Sequence, residues 1–250
     1  MDPDGPIFIT GLDRSGKTRL RRFLGAHPDV HLVRHVALWT RDDDVSGDLT
    51  DDASLADGIA ARYSAQASEH GKRRWGEQDA EIERRAERVL RQLPSARIIH
   101  LVRDPRRRYA AVVAGQHRRA GRLGSTTASW IASVRQGTAH AARYPRQYRL
   151  VRDEDLDARP RPELERLHAF LGLSMAPDIL DGWSTEPPEM AELRGAEVTF
   201  IEAWAGATMR TMGYPASGGR TALAAWHPVE LAGLVARSVR ESRSRRRVTQ

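Results

Sequence analysis

A loop near the start of the chain, set between an apolar and an amphipathic segment, constrains the fold more than any other feature. Residues 11–18 (GLDRSGKT) fit the pattern G-x-x-x-x-G-K-[ST]. Residues 7–10 before the loop predict a buried strand, and a helix with one apolar face is predicted to follow it and to end near Gly25. Glycines let such a loop curl until its N–H groups face one phosphate, and the helix N-terminus adds partial positive charge. The sequence therefore predicts a phosphate-binding loop at residues 11–18, here called the phosphate loop.

Segments of strand length alternate with helical segments along the rest of the chain. Strands are predicted at residues 30–33, 98–102 and 148–151, and helices at residues 105–115, 125–143, 162–171 and 200–212. A further helix is predicted from Ile82 and ends near Pro94. Residues 42–52 and 181–197 have the composition of loops. The alternation predicts an α/β protein with a three-layer fold, in which helices flank a mainly parallel central sheet.

Composition excludes several classes of protein. The 250 residues include no cysteine, which excludes a disulfide scaffold, a thiolate metal site and a cysteine nucleophile. The N-terminus does not resemble a secretory signal, and no apolar stretch reaches 18 residues, so we expect a soluble, cytoplasmic protein. The net charge of +7 falls to +2 without residues 237–250, which argues against a specific nucleic-acid partner. We expect one domain over residues 1–236 and a basic, disordered tail over residues 237–250.

The strand predicted at residues 98–102 ends without the carboxylate that a magnesium-dependent nucleotide enzyme needs there. Arg103 follows the strand directly, and a guanidinium suits a second phosphate better than a cation. Asp104 is the alternative metal ligand, but Pro105 turns the chain at that point. We therefore expect no metal ion, although a magnesium-dependent nucleotide kinase or ATPase stays open as an alternative.

Three segments resemble sulfotransferases that use 3′-phosphoadenosine-5′-phosphosulfate (PAPS). PIFITGLDRSGKTRLRRFLGAHPDV is similar to the family's 5′-phosphosulfate loop, and ARIIHLVRDPRRRYAAVV to its 3′-phosphate segment. YRLVRDEDLDARPRPELERLHAFLGL resembles the segment that contains V-R-Y-E-D-L. TRDDD and RRWGEQDAEIERRAERV also resemble bacterial members, so the resemblance spans residues 6–214 in the family's order.

The resemblance implies an enzyme that transfers a sulfuryl group from PAPS, without a metal ion, to a hydroxyl or amine of a small-molecule acceptor. The residues implied to hold the 5′-phosphosulfate are Arg14, Ser15, Gly16, Lys17 and Thr18. Arg103 is implied to bind the 3′-phosphate, and Ala111 occupies the donor-binding position where the family has a serine. Lys17 is also implied to be catalytic, because an ammonium group there can stabilise charge on the leaving bridging oxygen.

Four residues depart from the family pattern. Lys17 replaces a threonine, Ala111 lacks the serine hydroxyl, and Gln78 replaces a lysine of W-G-x-K. Asp153 replaces the tyrosine of V-R-Y-E-D-L, which removes a ring and adds a negative charge near the phosphates. We hypothesise that Lys17 compensates for Gln78. A catalytically impaired, sulfotransferase-like nucleotide-binding protein is the second alternative.

The acceptor needs a general base, and three residues are candidates. His35 follows the second predicted strand and has a suitable pKa, although it can equally pack beside Trp39. Glu77 and Asp79 follow Trp75, and they can equally complement a helix dipole. His100 and His168, by contrast, are expected to be core residues.

Overall fold

The structure, a computed structural model, describes residues 5–34, 51–115, 119, 121–175, 179–183 and 189–217. Its strands are β1 (Ile7–Thr10), β2 (Val30–Arg34), β3 (Arg74–Gln78), β4 (Arg97–Val102) and β5 (Tyr148–Arg152). They form one sheet in the order β2-β3-β1-β4-β5, and every neighbouring pair is parallel. The predicted parallel sheet is confirmed.

The helices in the described residues are α1 (Lys17–Gly25), α2 (Asp51–Glu69), α3 (Ile82–Gln92), α4 (Pro105–Val113), α5 (Arg122–Arg143), α6 (Asp153–Ala158), α7 (Pro160–Leu171) and α8 (Gly195–Thr211), with a short 3₁₀ turn at Ile179–Gly182. The chain divides into two compact units, residues 1–102 with 136–186 and residues 103–135 with 187–250. The first unit contains the sheet. Among the described residues, no helix is long and apolar enough to cross a membrane.

The two faces of the sheet carry separate apolar cores. Ile7 and Ile9 of β1 pack in one core with side chains of α1, α6 and α7. Phe8 points the other way, into a core with side chains of α2 and α3. Because both faces are covered, a strand such as β1 is fully buried, and three of its four residues are apolar. The predicted three-layer arrangement is confirmed.

The strand β3 could not be predicted from apolar periodicity, because two of its buried positions are an arginine and a glycine. The Arg74 side chain is 1% exposed and donates to the carbonyls of Gly5 and Leu171. Gly76 leaves no room for a Cβ atom, which would overlap the Ile7 carbonyl oxygen. The prediction of a loop was also wrong at Asp51 and Asp52, which begin α2.

Several predicted features lie outside the described residues. They are His35, the acidic residues from Asp42 to Asp48, and residues 218–250 with the basic tail.

Candidate functional site

The phosphate loop has a backbone that turns through three positive φ angles, at Gly11 (125°), Arg14 (66°) and Gly16 (95°). A side chain at Gly11 would overlap the carbonyl oxygen of Leu101, so glycine is required there by both space and conformation. Helix α1 begins at Lys17, near the end of the phosphate loop, and the first N–H groups of a helix have no acceptor within the helix. The backbone therefore presents donors where an anion can bind.

The loop's side chains add further donors. Ser15 is 2% exposed, and its hydroxyl has no hydrogen-bond partner within the part of the chain that the structure describes. Lys17 is buried, donates from Nζ to the Gly11 carbonyl, and lies 3.9 Å from Asp13 Oδ1. Arg14 is exposed and Thr18 is half-buried. The predicted loop residues thus combine two cationic groups with a buried hydroxyl.

Asp153 lies against the end of the phosphate loop. Its Oδ1 occupies the space that a Cβ atom on Gly16 would need. The negative charge expected from the sequence is compensated, because Arg19 Nη2 lies 2.7 Å from the same oxygen. Arg19 also contacts Asp157 and stacks on Trp183, with its guanidinium carbon 4.5 Å from the ring centroid. The role of Arg19 was not predicted from the sequence. The run of acidic residues after β5 was the feature that could have indicated a cationic partner.

The phosphate loop follows β1 at the carboxyl edge of the sheet, where the chain leaves the neighbouring strands β1 and β3 on opposite faces. Helix α1 leaves β1 on one face, and α3 follows β3 on the other. Ligands of open α/β sheets bind at such a switch point. The Asp79 N–H donates to the Ile9 carbonyl, and the Thr10 hydroxyl accepts the Glu83 N–H at 3.0 Å and donates to Ala80. These bonds fix the chain after β3 beside the start of the phosphate loop.

His100 belongs to a polar cluster beneath this edge. It is fully buried, with Nδ1 2.7 Å from the Tyr148 hydroxyl and Nε2 3.4 Å from Glu83 Oε2. Its ring touches the helix at Gly137, where a Cβ atom would lie 2.5 Å from Nδ1. Burial, followed by the charges of Lys17 and His140, lowers the pKa of His100 to about 3. The predicted core role of His100 is confirmed, as is that of His168, which is buried beside Phe23.

The lowered pKa of His100 makes stability depend on pH. The unfolded chain binds a proton near the ordinary pKa of 6.5, whereas the folded chain binds it only near 3. The contribution of neutral His100 to the free energy of unfolding is therefore complete above pH 6.5. It decreases by about 1.4 kcal/mol per pH unit as the pH falls towards 3. We expect His100→Gln to flatten this dependence, measured by urea unfolding at about pH 7 and about pH 5. Equal pH dependence in the two proteins would contradict the assignment.

Two of the candidate bases, Glu77 and Asp79, lie at different places in the fold. Glu77 is 0% exposed and lies within β3, in register with Phe8 of β1 and Val33 of β2. Asp79 is 4% exposed, follows β3 at the carboxyl edge, and accepts the Glu81 N–H at 3.0 Å. The catalytic roles of Glu77 and Asp79 stay predictions, as does the role of His35.

The second unit contains Arg103 and Ala111. Arg103 is 6% exposed, and its carbonyl accepts the Trp130 indole N–H at 2.8 Å. Asp104, the alternative metal ligand, caps α4 by accepting the Arg106 N–H at 2.8 Å and also binds the Arg106 guanidinium. Ala111 is completely buried in α4. In the described part of the chain, no three His, Asp or Glu side chains group closely enough to hold a metal ion.

Comparison with known proteins decides the family. The model described as the sulfotransferase family matches residues 6–177, more than half of the chain. The chain belongs to the sulfotransferase family. A Caenorhabditis briggsae protein, whose name assigns it to the protein-tyrosine sulfotransferases, is 26% identical to this sulfotransferase over 212 residues. That match covers 77% of this chain and 71% of the relative.

Solved sulfotransferases share the fold of this sulfotransferase. The domain from the curacin biosynthetic pathway has a TM-score of 0.56 and 15% identity, over 84% of this chain and 98% of that domain. A mouse sulfotransferase complexed with PAP has a TM-score of 0.56 and 13% identity, over 85% of this chain and 86% of the mouse chain. The predicted fold and enzyme class are confirmed.

Proposed function

We propose that this sulfotransferase takes its sulfuryl group from PAPS and transfers it to a hydroxyl or amine of a small-molecule acceptor. The phosphate loop carries the proposal, because the buried Ser15 hydroxyl and the N–H groups of a strongly turned backbone are suited to an anionic group. Further support comes from the mouse protein of the same fold, which was solved with PAP. The lack of cysteine supports a cytoplasmic location.

In the proposed reaction, bound PAPS supplies an activated sulfuryl group, and the acceptor atom bonds to sulfur as the bond to the bridging oxygen breaks. Arg14, Ser15, Gly16, Lys17 and Thr18 bind the 5′-phosphosulfate, and Arg103 binds the 3′-phosphate. The residues of the phosphate loop act by holding positive charge and N–H donors where negative charge develops. His35, Glu77 and Asp79 are the proposed bases for the acceptor proton.

A phenolic hydroxyl is the first acceptor group to test. The Caenorhabditis briggsae relative is named for protein tyrosine, and its 26% identity extends over most of this chain. A phenol also loses its proton more readily than an aliphatic alcohol, so a carboxylate or imidazole base removes that proton more easily. A panel of tyrosine peptides, simple phenols and amines therefore covers the proposed acceptor chemistry.

Ligand-induced thermal stabilisation tests the donor. We expect 3′-phosphoadenosine-5′-phosphate (PAP) at about a hundred times its Kd to raise the Tm by about 5 °C, because it binds only the folded chain. We expect Mg·ATP, which has no 3′-phosphate, to raise the Tm much less. No shift with PAP would contradict the proposed donor, and a larger shift with Mg·ATP would support the kinase alternative. A PAP shift without turnover on the acceptor panel would support the catalytically impaired alternative.

A further inference from the structure

We propose that Asp153 is a positioning residue, which holds the phosphate loop in its anion-binding shape through Arg19. This inference rests on the proposed function where donor binding is concerned. It reverses the expectation from the sequence, in which Asp153 in place of tyrosine weakens donor binding.

The contacts form a closed ring of three residues. The Arg19 backbone N–H donates to the Gly16 carbonyl at 3.1 Å, and the Arg19 guanidinium lies 2.7 Å from Asp153 Oδ1. That same oxygen lies against the α-carbon of Gly16, in the space of a missing Cβ atom. Each residue of the ring therefore restricts the position of the other two.

Burial makes this ring rigid. The Asp153 side chain is 3% exposed and that of Arg19 is 14% exposed, so water screens their attraction weakly. Asp157 and the ring of Trp183 hold the other sides of the Arg19 guanidinium. A planar guanidinium with several donors can serve two carboxylates and an aromatic face at once, whereas an ammonium group cannot.

Gly16 is the residue through which this ring acts on the donor. It has a φ of 95° and precedes Lys17, the first residue of α1, so its conformation sets the direction of the N–H groups at the helix start. A carboxylate fixed against Gly16 prevents the loop from relaxing to other conformations. We expect that the ring lowers the cost of ordering the loop when the donor binds.

The test compares two Asp→Asn variants that remove a carboxylate from the same arginine. Asp153→Asn removes the carboxylate that touches Gly16, and Asp157→Asn removes the more exposed one, which is 32% exposed. We expect Asp153→Asn to raise the Kd of PAP about tenfold and the KM of PAPS similarly, with kcat changed by less than about threefold. We expect Asp157→Asn to change either constant by less than about twofold.

Amide hydrogen exchange without ligand gives a second readout. The N–H groups of Arg19 and Leu20 bond to the Gly16 carbonyl at 3.1 and 3.2 Å, so their protection reports the ordered loop. We expect Asp153→Asn to accelerate their exchange about tenfold and Asp157→Asn to leave it nearly unchanged. Should Asp153→Asn unfold, the milder Arg19→Lys variant, which keeps the charge, is expected to change exchange and PAP affinity in the same direction.

The outcomes separate this inference from the proposed function. If the unmodified protein binds no PAP, the proposed donor is wrong, and amide exchange still decides the role of Asp153. If PAP binds but Asp153→Asn matches Asp157→Asn in both affinity and exchange, the positioning role is overturned.

Discussion

The Lys17→Thr variant is expected to transfer sulfuryl groups about a hundredfold more slowly at saturating PAPS. The substitution restores the threonine of the family motif, and it removes a buried ammonium group from the phosphate loop. Because the proposed role of Lys17 is to stabilise the bridging oxygen as it leaves, the loss should appear in kcat more than in KM. Steady-state kinetics with a sulfated product measured directly provide the test.

The chain contains a matched control, since Lys17 and Lys72 are its two lysines. Lys72 Nζ donates to the His27 carbonyl at 2.6 Å. This contact lies at the N-terminal end of β2, away from the carboxyl edge of the sheet. We expect Lys72→Thr to keep its kcat within about twofold. Full activity in Lys17→Thr would refute the hypothesis that Lys17 compensates for Gln78.

The Arg103→Ala variant is expected to bind PAP about a hundredfold more weakly and to bind AMP unchanged. A guanidinium that makes two charge-assisted hydrogen bonds to the 3′-phosphate accounts for a loss of this size. AMP lacks the 3′-phosphate, so its binding reports damage to the rest of the site. Isothermal titration of both nucleotides against both proteins gives the comparison.

Arg107→Ala is the control for charge. Arg107 is exposed on α4 and belongs to the same run of arginines. The carbonyl of Arg103 is fixed by Trp130, a contact that alanine at position 103 retains. Equal losses for PAP and AMP in Arg103→Ala, or an equal PAP loss in Arg107→Ala, would contradict a specific 3′-phosphate contact.

The elements that could be predicted are those whose local sequence pattern matches the burial of their side chains in the fold. The strands β1 and β4 are mostly apolar, because a parallel sheet covered on both faces buries nearly every side chain of these strands. Helix α7 ends at Gly172 in the left-handed conformation, as predicted from its capping glycine. The phosphate loop followed from glycines at fixed spacing between a strand and a helix.

The remaining elements depend on contacts between distant residues. β3 contains the buried Arg74, which donates hydrogen bonds to the carbonyls of Gly5 and Leu171, and no local pattern encodes that environment. The pairing of Arg19 with Asp153 joins residues that are far apart in the sequence. Periodicity describes single segments, so it cannot reveal an ion pair that forms when two segments fold together.

The switch point between β1 and β3 has an evolutionary consequence. It arises from the order of the strands and from two helices that leave on opposite faces, so it is a property of the backbone path. Side chains beside it, such as that of Gln78 at the end of β3, can therefore be exchanged during divergence without loss of the switch point. A scaffold of this kind permits a lineage to explore new acceptors, or a protein engineer to select for them, while folding remains intact.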